Sequence, residues 1–241
     1  MFRHKGKGRT FHHNRRLAAI LSLTAGIVNI IGVLSIQTLT TNVTGHFAYF
    51  AEEIVNERYL NAFAFLIYII AFLSGAFFSN LLIELNSKKN PVIAHSIPMG
   101  IEIFILTMIG IYGYSWLLYG WNPQIIACFL LFAMGLQNAL VTTVSSSTVR
   151  TTHLTGLFTD LGIELSQLFF YRKKEERTKL TRSIRLRIVI IVFFFSGCII
   201  GGFAYGILNM EALLIASVCL IIALIYDNIR YRFYYLKRKL R

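Results

Sequence analysis

What this chain has least of is charge. Only 15% of its 241 residues are Asp, Glu, Lys or Arg, against about a quarter in soluble domains. Acids are the scarcer sign: 11 stand beside 24 basic residues. Three prolines leave no room for a Pro-rich linker. The three cysteines, Cys128, Cys198 and Cys219, all sit in apolar stretches, with no CxxC and no Cys/His cluster at metal-ligand spacing. Nothing therefore points to a disulfide framework or a metal centre, and no cofactor is assigned. There is no nucleotide-binding loop, no GxSxG and no HExxH, so an enzyme is not expected. What fills the chain instead is apolar: 56% hydrophobic residues and a mean hydropathy of +0.61. An integral membrane protein is the class that remains.

A helix needs about 20 apolar residues to cross the hydrocarbon core. Six stretches qualify: Leu17 to Leu39; the uncharged run between Arg58 and Glu84; Val92 to Tyr119, interrupted by Glu102; Gln124 to Val144; the run between Arg187 and Glu211; and the short Leu213 to Ile225. The basic residues divide sharply among the connections. With both termini inside, 23 of the 24 fall on the cytoplasmic side and only Arg58 outside, as the positive-inside rule requires. That distribution explains the net charge of +13 without nucleic acid. The first helix has the flanks of a signal peptide but is too long and lacks a clear cleavage site, so it is read as retained. The basic stretch from Arg172 to Arg187 and the tail from Arg230 to Arg241 are expected to lie against anionic lipid headgroups.

The chain also repeats itself. Thr40-Thr41-Asn42-Val43-Thr44-Gly45-His46-Phe47 recurs as Thr151-Thr152-His153-Leu154-Thr155-Gly156-Leu157-Phe158. Glu53 and Glu164 match at the same offset; upstream, Gly26-x-x-Asn29 matches Gly135-x-x-Asn138; downstream, Gly75 and Ser79 match Gly197 and Gly201. Each copy holds three spans. Three is odd, so the second copy enters the membrane from the other side, an arrangement common in secondary transporters. The predicted fold is an all-α integral membrane bundle: a basic cytoplasmic segment 1–16, a first three-helix repeat 17–119, an inverted second repeat 124–229, and a basic cytoplasmic tail 230–241.

Those landmarks, G-x-x-N, TTNVTG, the second TG element and the Ser-Gly-small pairs, resemble the YoaK-like family of bacterial multi-pass membrane proteins (domain of unknown function 1275). The resemblance runs from about Leu17 to Tyr226, and TNVTGH is its most specific part. It implies a six-span protein of the bacterial inner membrane and supplies no activity.

Chemistry must come from the residues. If Thr44 and Thr155 cap helices, the free N–H groups ahead of Gly45 and Gly156 make anion-attracting ends. Gly26 and Gly135 could break their spans nearby, exposing Asn29 and Asn138. The candidate solute contacts are Asn29, Thr41, Asn42, Thr44, Gly45, Asn138, Thr152, His153, Thr155 and Gly156. The plainer alternative is that Thr-Gly opens an interfacial helix and the Asn side chains join helices. Arg150 is a topology anchor or an anion contact. The small pairs on spans two and five should let helices pack closely, or form a homodimer contact. Candidates for proton coupling are Glu102, because an ionisable group in lipid is costly, and Asp160 and Glu164, four apart on one helix face. The expectation is a secondary transporter or permease for a small polar or anionic solute. The alternative is a membrane scaffold or lipid-interacting protein that transports nothing.

Overall fold

The computed structural model describes residues 11–87, 94–145, 147 and 149–239, and side chains within residues 15–226. The basic N-terminus up to residue 10, the Lys88–Lys89 connection and the side chains of the C-terminal tail lie outside that description. The described residues form eight α-helices, one 3-10 turn and no strand. In chain order they are α1 (Phe11–Ile36), α2 (Val43–Val55), α3 (Tyr59–Ser87), α4 (Ser96–Leu118), α5 (Pro123–Ser145), α6 (Leu154–Gln167), α7 (Lys174–Leu208) and α8 (Leu213–Lys239).

Local rules account for the ends. Between α4 and α5 the turn predicted at Tyr119–Pro123 forms. Gly120 takes φ +79, its N–H donates to the Leu117 carbonyl at 3.1 Å, and that of Trp121 to Trp116 at 2.9 Å. This is the αL closure that glycine allows. Pro123 then opens α5, where its missing N–H costs nothing, and Asn122 Oδ1 accepts from the Gln124 N–H at 2.9 Å.

Five stretches are long and apolar enough to cross a membrane: 15–36, 59–87, 96–118, 123–145 and 174–226. The fifth is 53 residues long and contains both α7 and α8, divided by the 3-10 turn Asn209–Ala212. Asn209 stands at φ +49 there, and the chain doubles back. Leu23 and Ile27 of α1 lie against Gly197 and Gly201 of α7, so these two helices run parallel. Met210 sits at Gly113 near the far end of α4, while Tyr226 near the other end of the segment receives a hydrogen bond from Arg16 at 2.8 Å. By length alone α7 would reach about 52 Å, well beyond the hydrocarbon core.

Two close crossings hold the bundle. A Cβ on Gly26 would overlap the Phe194 carbonyl, and one on Gly197 the Leu23 carbonyl, so α1 and α7 meet backbone to backbone. A Cβ on Gly75 would overlap the Phe132 carbonyl, and one on Gly135 the Phe72 carbonyl, so α3 and α5 meet in the same way. Small residues on both sides permit this approach and the Cα–H···O contacts that come with it. Gly26 and Gly135 do not break their helices, contrary to the sequence expectation; α1 and α5 run through them uninterrupted. A helical glycine keeps its hydrogen bonds, and here the space it frees is filled by a neighbouring backbone.

α5 lies in the middle, packed against α1, α3 and α4, with Leu130, Leu131, Met134, Leu136 and Leu140 wholly enclosed. The outer faces carry exposed apolar side chains such as Leu60, Leu73, Phe77, Phe195, Phe203 and Ile222. A water-soluble monomer does not expose apolar surface on that scale, whereas lipid accepts it. α2 and α6, at 13 and 14 residues, reach only about 20 Å.

Candidate functional site

The Thr-Thr-x-x-Thr-Gly segments each lead into a short helix, α2 or α6. The residue that caps is not the threonine. Asn42 is the N-cap of α2, and its Oδ1 accepts from the Gly45 N–H at 3.1 Å. His153 is the N-cap of α6 and makes no side-chain capping bond. Thr44 and Thr155 are therefore second residues of their helices. Asx residues outrank Thr at the cap because their carbonyl oxygen reaches the third N–H readily. The glycines follow from the caps. A Cβ on Gly45 would stand 3.0 Å from Asn42 Nδ2, and one on Gly156 would overlap the His153 ring. In both elements the glycine makes room for the side chain of the N-cap residue.

The two intramembrane asparagines do equivalent work. Asn29 Oδ1 accepts from the Thr41 N–H at 3.3 Å and from its hydroxyl at 2.9 Å. Asn138 Oδ1 accepts from the hydroxyls of Thr152 at 2.8 Å and Thr151 at 3.4 Å. Each ties the Thr-Thr turn back to the helix before it. They do not meet one another. Gln137 Nε2 donates to the Leu21 carbonyl at 2.9 Å, so Asn138 stands level with Leu21, about 12 Å along α1 from Asn29.

The second element borders a cavity of about 640 Å³, lined by Ser147, Arg150, His153, Gly156, Asp160, Arg182, Ser183 and Arg187, with Leu157, Leu186 and Ile190 at its apolar side. Asn29, Thr41, Asn42, Thr44 and Gly45 are not among its walls. Arg187 fixes one wall. Its Nε and Nη2 donate to Glu164 at 2.8 and 3.0 Å, and its Nη1 to Asp160 at 2.8 Å; Ser183 donates to Glu164 at 2.6 Å. This planar fork is what distinguishes Arg from Lys. Arg150 and Arg182 have no carboxylate partner among the described residues, and both line the cavity. Three guanidiniums against Asp160 and Glu164 leave one positive charge, and the α6 N-terminus adds its dipole. An anion fits such a wall.

Arg182, Ser183 and Arg187 escaped the sequence reading, which counted the two arginines among the basic residues set against lipid headgroups and passed over Ser183. A signal was present: Arg182, Ser183, Leu186, Arg187 and Ile190 recur at spacings that share one helix face, and Asp160 and Glu164 required a cation.

Two further predicted or conspicuous groups lie elsewhere. Glu102 is fully enclosed in α4, and neither carboxyl oxygen has a hydrogen-bond partner among the described residues. His46 is buried in α2 with its ring against Phe65 and Tyr68. Its Nε2–H donates to the Leu39 carbonyl at 2.7 Å. Burial pushes the imidazole below its usual value, and the bond to Leu39 offsets part of that. Among the described residues no three His, Cys, Asp or Glu side chains group as metal ligands.

Residues 17–226 match the profile of a family described as a protein of unknown function, DUF1275, and the chain belongs to that family. It is 26% identical over 194 residues to the UPF0700 transmembrane protein YoaK of Bacillus subtilis (strain 168), covering 80% of this chain and 84% of that one. No solved structure matches. With its long apolar helices and lipid-compatible outer faces, the chain is a membrane protein in contact with the bilayer.

Proposed function

We propose that this protein is a non-enzymatic permease of the bacterial inner membrane for a small anionic solute, with six spans arranged as two inverted three-helix repeats and both termini cytoplasmic. Support for the architecture comes from pairs of like features: the crossings Gly26–Gly197 and Gly75–Gly135, the clamps Asn29–Thr41 and Asn138–Thr152, and the short helices after α1 and α5. Parallel packing of α1 with α7, and of α3 with α5, agrees with a second repeat that enters from the opposite side. The exposed run Lys173, Lys174, Arg177 and Lys179 suits anionic headgroups.

The observation that carries the solute reading is the cavity in which Arg150 and Arg182 face the N-terminus of α6 without carboxylate partners. Of the acids considered for proton coupling, Glu102 is the stronger candidate, since Asp160 and Glu164 already face a guanidinium. The scaffold reading has one observation in its favour, the enclosed Leu130, Leu131, Met134 and Leu136 that fill the middle of α5.

The test is thermal melting of the purified protein with inorganic phosphate, sulfate and small carboxylates at constant ionic strength. A ligand that binds only the folded state at 100 times its Kd adds about 2.7 kcal/mol. At least one anion should raise the melting temperature of wild type and not that of Arg150→Ala or Arg182→Ala. Equal melting with every anion would move the assignment to the scaffold.

A further inference from the structure

Four enclosed polar groups share one level of the bundle. Ser22, Ser79, Glu102 and Gln137 each show 0% exposure. Ser22 Oγ, Ser79 Oγ, Gln137 Oε1 and both oxygens of Glu102 lack a hydrogen-bond partner among the described residues. They come from four different helices, and α5, which carries Gln137, packs against the three that carry the others. Contacts fix the level. Gln137 reaches the carbonyl of Leu21, next to Ser22, at 2.9 Å. Ser79 lies between Gly75, where a Cβ would stand 3.1 Å from the Leu136 nitrogen, and Asn80, which accepts from Thr143 at 3.4 Å. α4 and α5 are antiparallel across a tight turn, so Glu102, 16 residues before the end of α4, stands level with Ala139.

The layer is one-sided. In the internal sequence match, Ser22 corresponds to Leu131, Gln137 to Val28 and Ser79 to Gly201. The crossings and clamps recur in both halves, but these polar groups do not. Helix packing at the equivalent level is achieved without them, so packing does not require them.

Charge and hydrogen-bond counting point the same way. A carboxylate enclosed without a counter-charge or donor is the most costly group a membrane interior can hold. A protonated carboxyl supplies one O–H donor and keeps one acceptor. The layer has a waiting acceptor: the Gln137 amide nitrogen is taken up by Leu21, which leaves its Oε1 needing a donor. With one proton on Glu102 the layer carries no charge; without it, the layer holds a bare negative charge.

We propose that Glu102 is a proton-binding carboxyl, protonated in this conformation, and that Ser22, Ser79 and Gln137 form the polar layer around it. This rests on the coupling part of the permease reading and is independent of the arginine-lined cavity. The ionisable groups on the elements around it are few. His95, the N-cap residue of α4, lies seven residues before Glu102, and Glu84 is exposed near the end of α3. Arg16 and Tyr226 pair at the end of α1 and α8; Cys128 and Cys219 lie in α5 and α8.

The test is infrared spectroscopy of the full chain in lipid nanodiscs at neutral pH. Wild type should show a carboxylic-acid C=O band that Glu102→Gln removes. Gln137→Met, which takes away the acceptor, should move that band to higher frequency. Glu102→Gln mimics the protonated acid and should melt no lower than wild type. A wild-type spectrum without the band, or a band that survives in Glu102→Gln, overturns the proposal. So does a melting temperature that rises with Na+ at fixed pH and ionic strength and loses that rise in Glu102→Gln, since a metal cation would then be the occupant. A band that behaves as expected beside a protein indifferent to every anion would move the protein to the scaffold reading and leave Glu102 standing as a proton-binding carboxyl.

Discussion

Alanine at Gly26 is the most direct trial of how this bundle is held. An ideal Cβ there overlaps the Phe194 carbonyl and comes within 3.0 Å of the Cys198 nitrogen. Both neighbours are backbone, so no side-chain rotation relieves the clash. A carbon needs roughly 3.3 Å from a carbonyl oxygen, and α1 and α7 must part by about an ångström. Overpacking of this kind costs about 3 kcal/mol, and the better helix propensity of Ala returns about 1. The net loss of about 2 kcal/mol lowers the melting temperature by about 4–8 °C for a chain of this size. Gly75→Ala should match it, because the α3–α5 crossing has the same geometry. Gly162→Ala and Gly206→Ala, with nothing within 4 Å, should leave stability unchanged or improve it. The double variant Gly26→Ala/Gly197→Ala should fall short of the sum, since one separation relieves both clashes, while Gly26→Ala/Gly75→Ala should add. Melting in detergent decides the matter. If Gly26→Ala melts with Gly162→Ala, the backbone crossings do not hold the bundle together.

Two further outcomes can be read in the same apparatus. Asn29→Ala and Asn138→Ala should each cost about 1 kcal/mol, the worth of an ordinary intramolecular hydrogen bond. Thr41→Ala added to Asn29→Ala should cost little more; full additivity would mean that the clamp is not the shared interaction. His46 supplies a pH dependence. Its imidazole is held below 6.5 in the fold, so on acidification the unfolded chain takes up the proton first. Stability should be full above pH 6.5 and fall as the pH drops below it. His46→Gln should flatten that limb of the melting curve, and an identical acid limb in the variant would assign the effect elsewhere.

Particular residues show where the sequence was legible. Apolar runs of bilayer length are a one-dimensional property, and the helices at 59–87, 96–118 and 123–145 could be read from composition alone. The Tyr119–Pro123 turn follows from Gly and Pro dihedral limits. The repeat T-T-x-x-T-G was visible as a string, yet its meaning was not. That Asn42 caps α2, and that Gly45 and Gly156 yield space to Asn42 and His153, depends on side-chain direction at a helix start. The arginine cavity joins residue 150 to residue 187 across a helix, and no spacing rule connects those positions.

The sequence by itself determined that the chain is a membrane protein, where its long helices lie, and which end of the bundle gathers the basic residues, because each depends on local composition and solvent transfer. Only the tertiary structure decided that Gly26 meets Gly197 and Gly75 meets Gly135, that Arg187 takes up both acids of α6, and that Ser22, Ser79, Glu102 and Gln137 share a level. Those outcomes turn on which helix faces which, and packing between faces is a property of the assembled backbone rather than of any one segment.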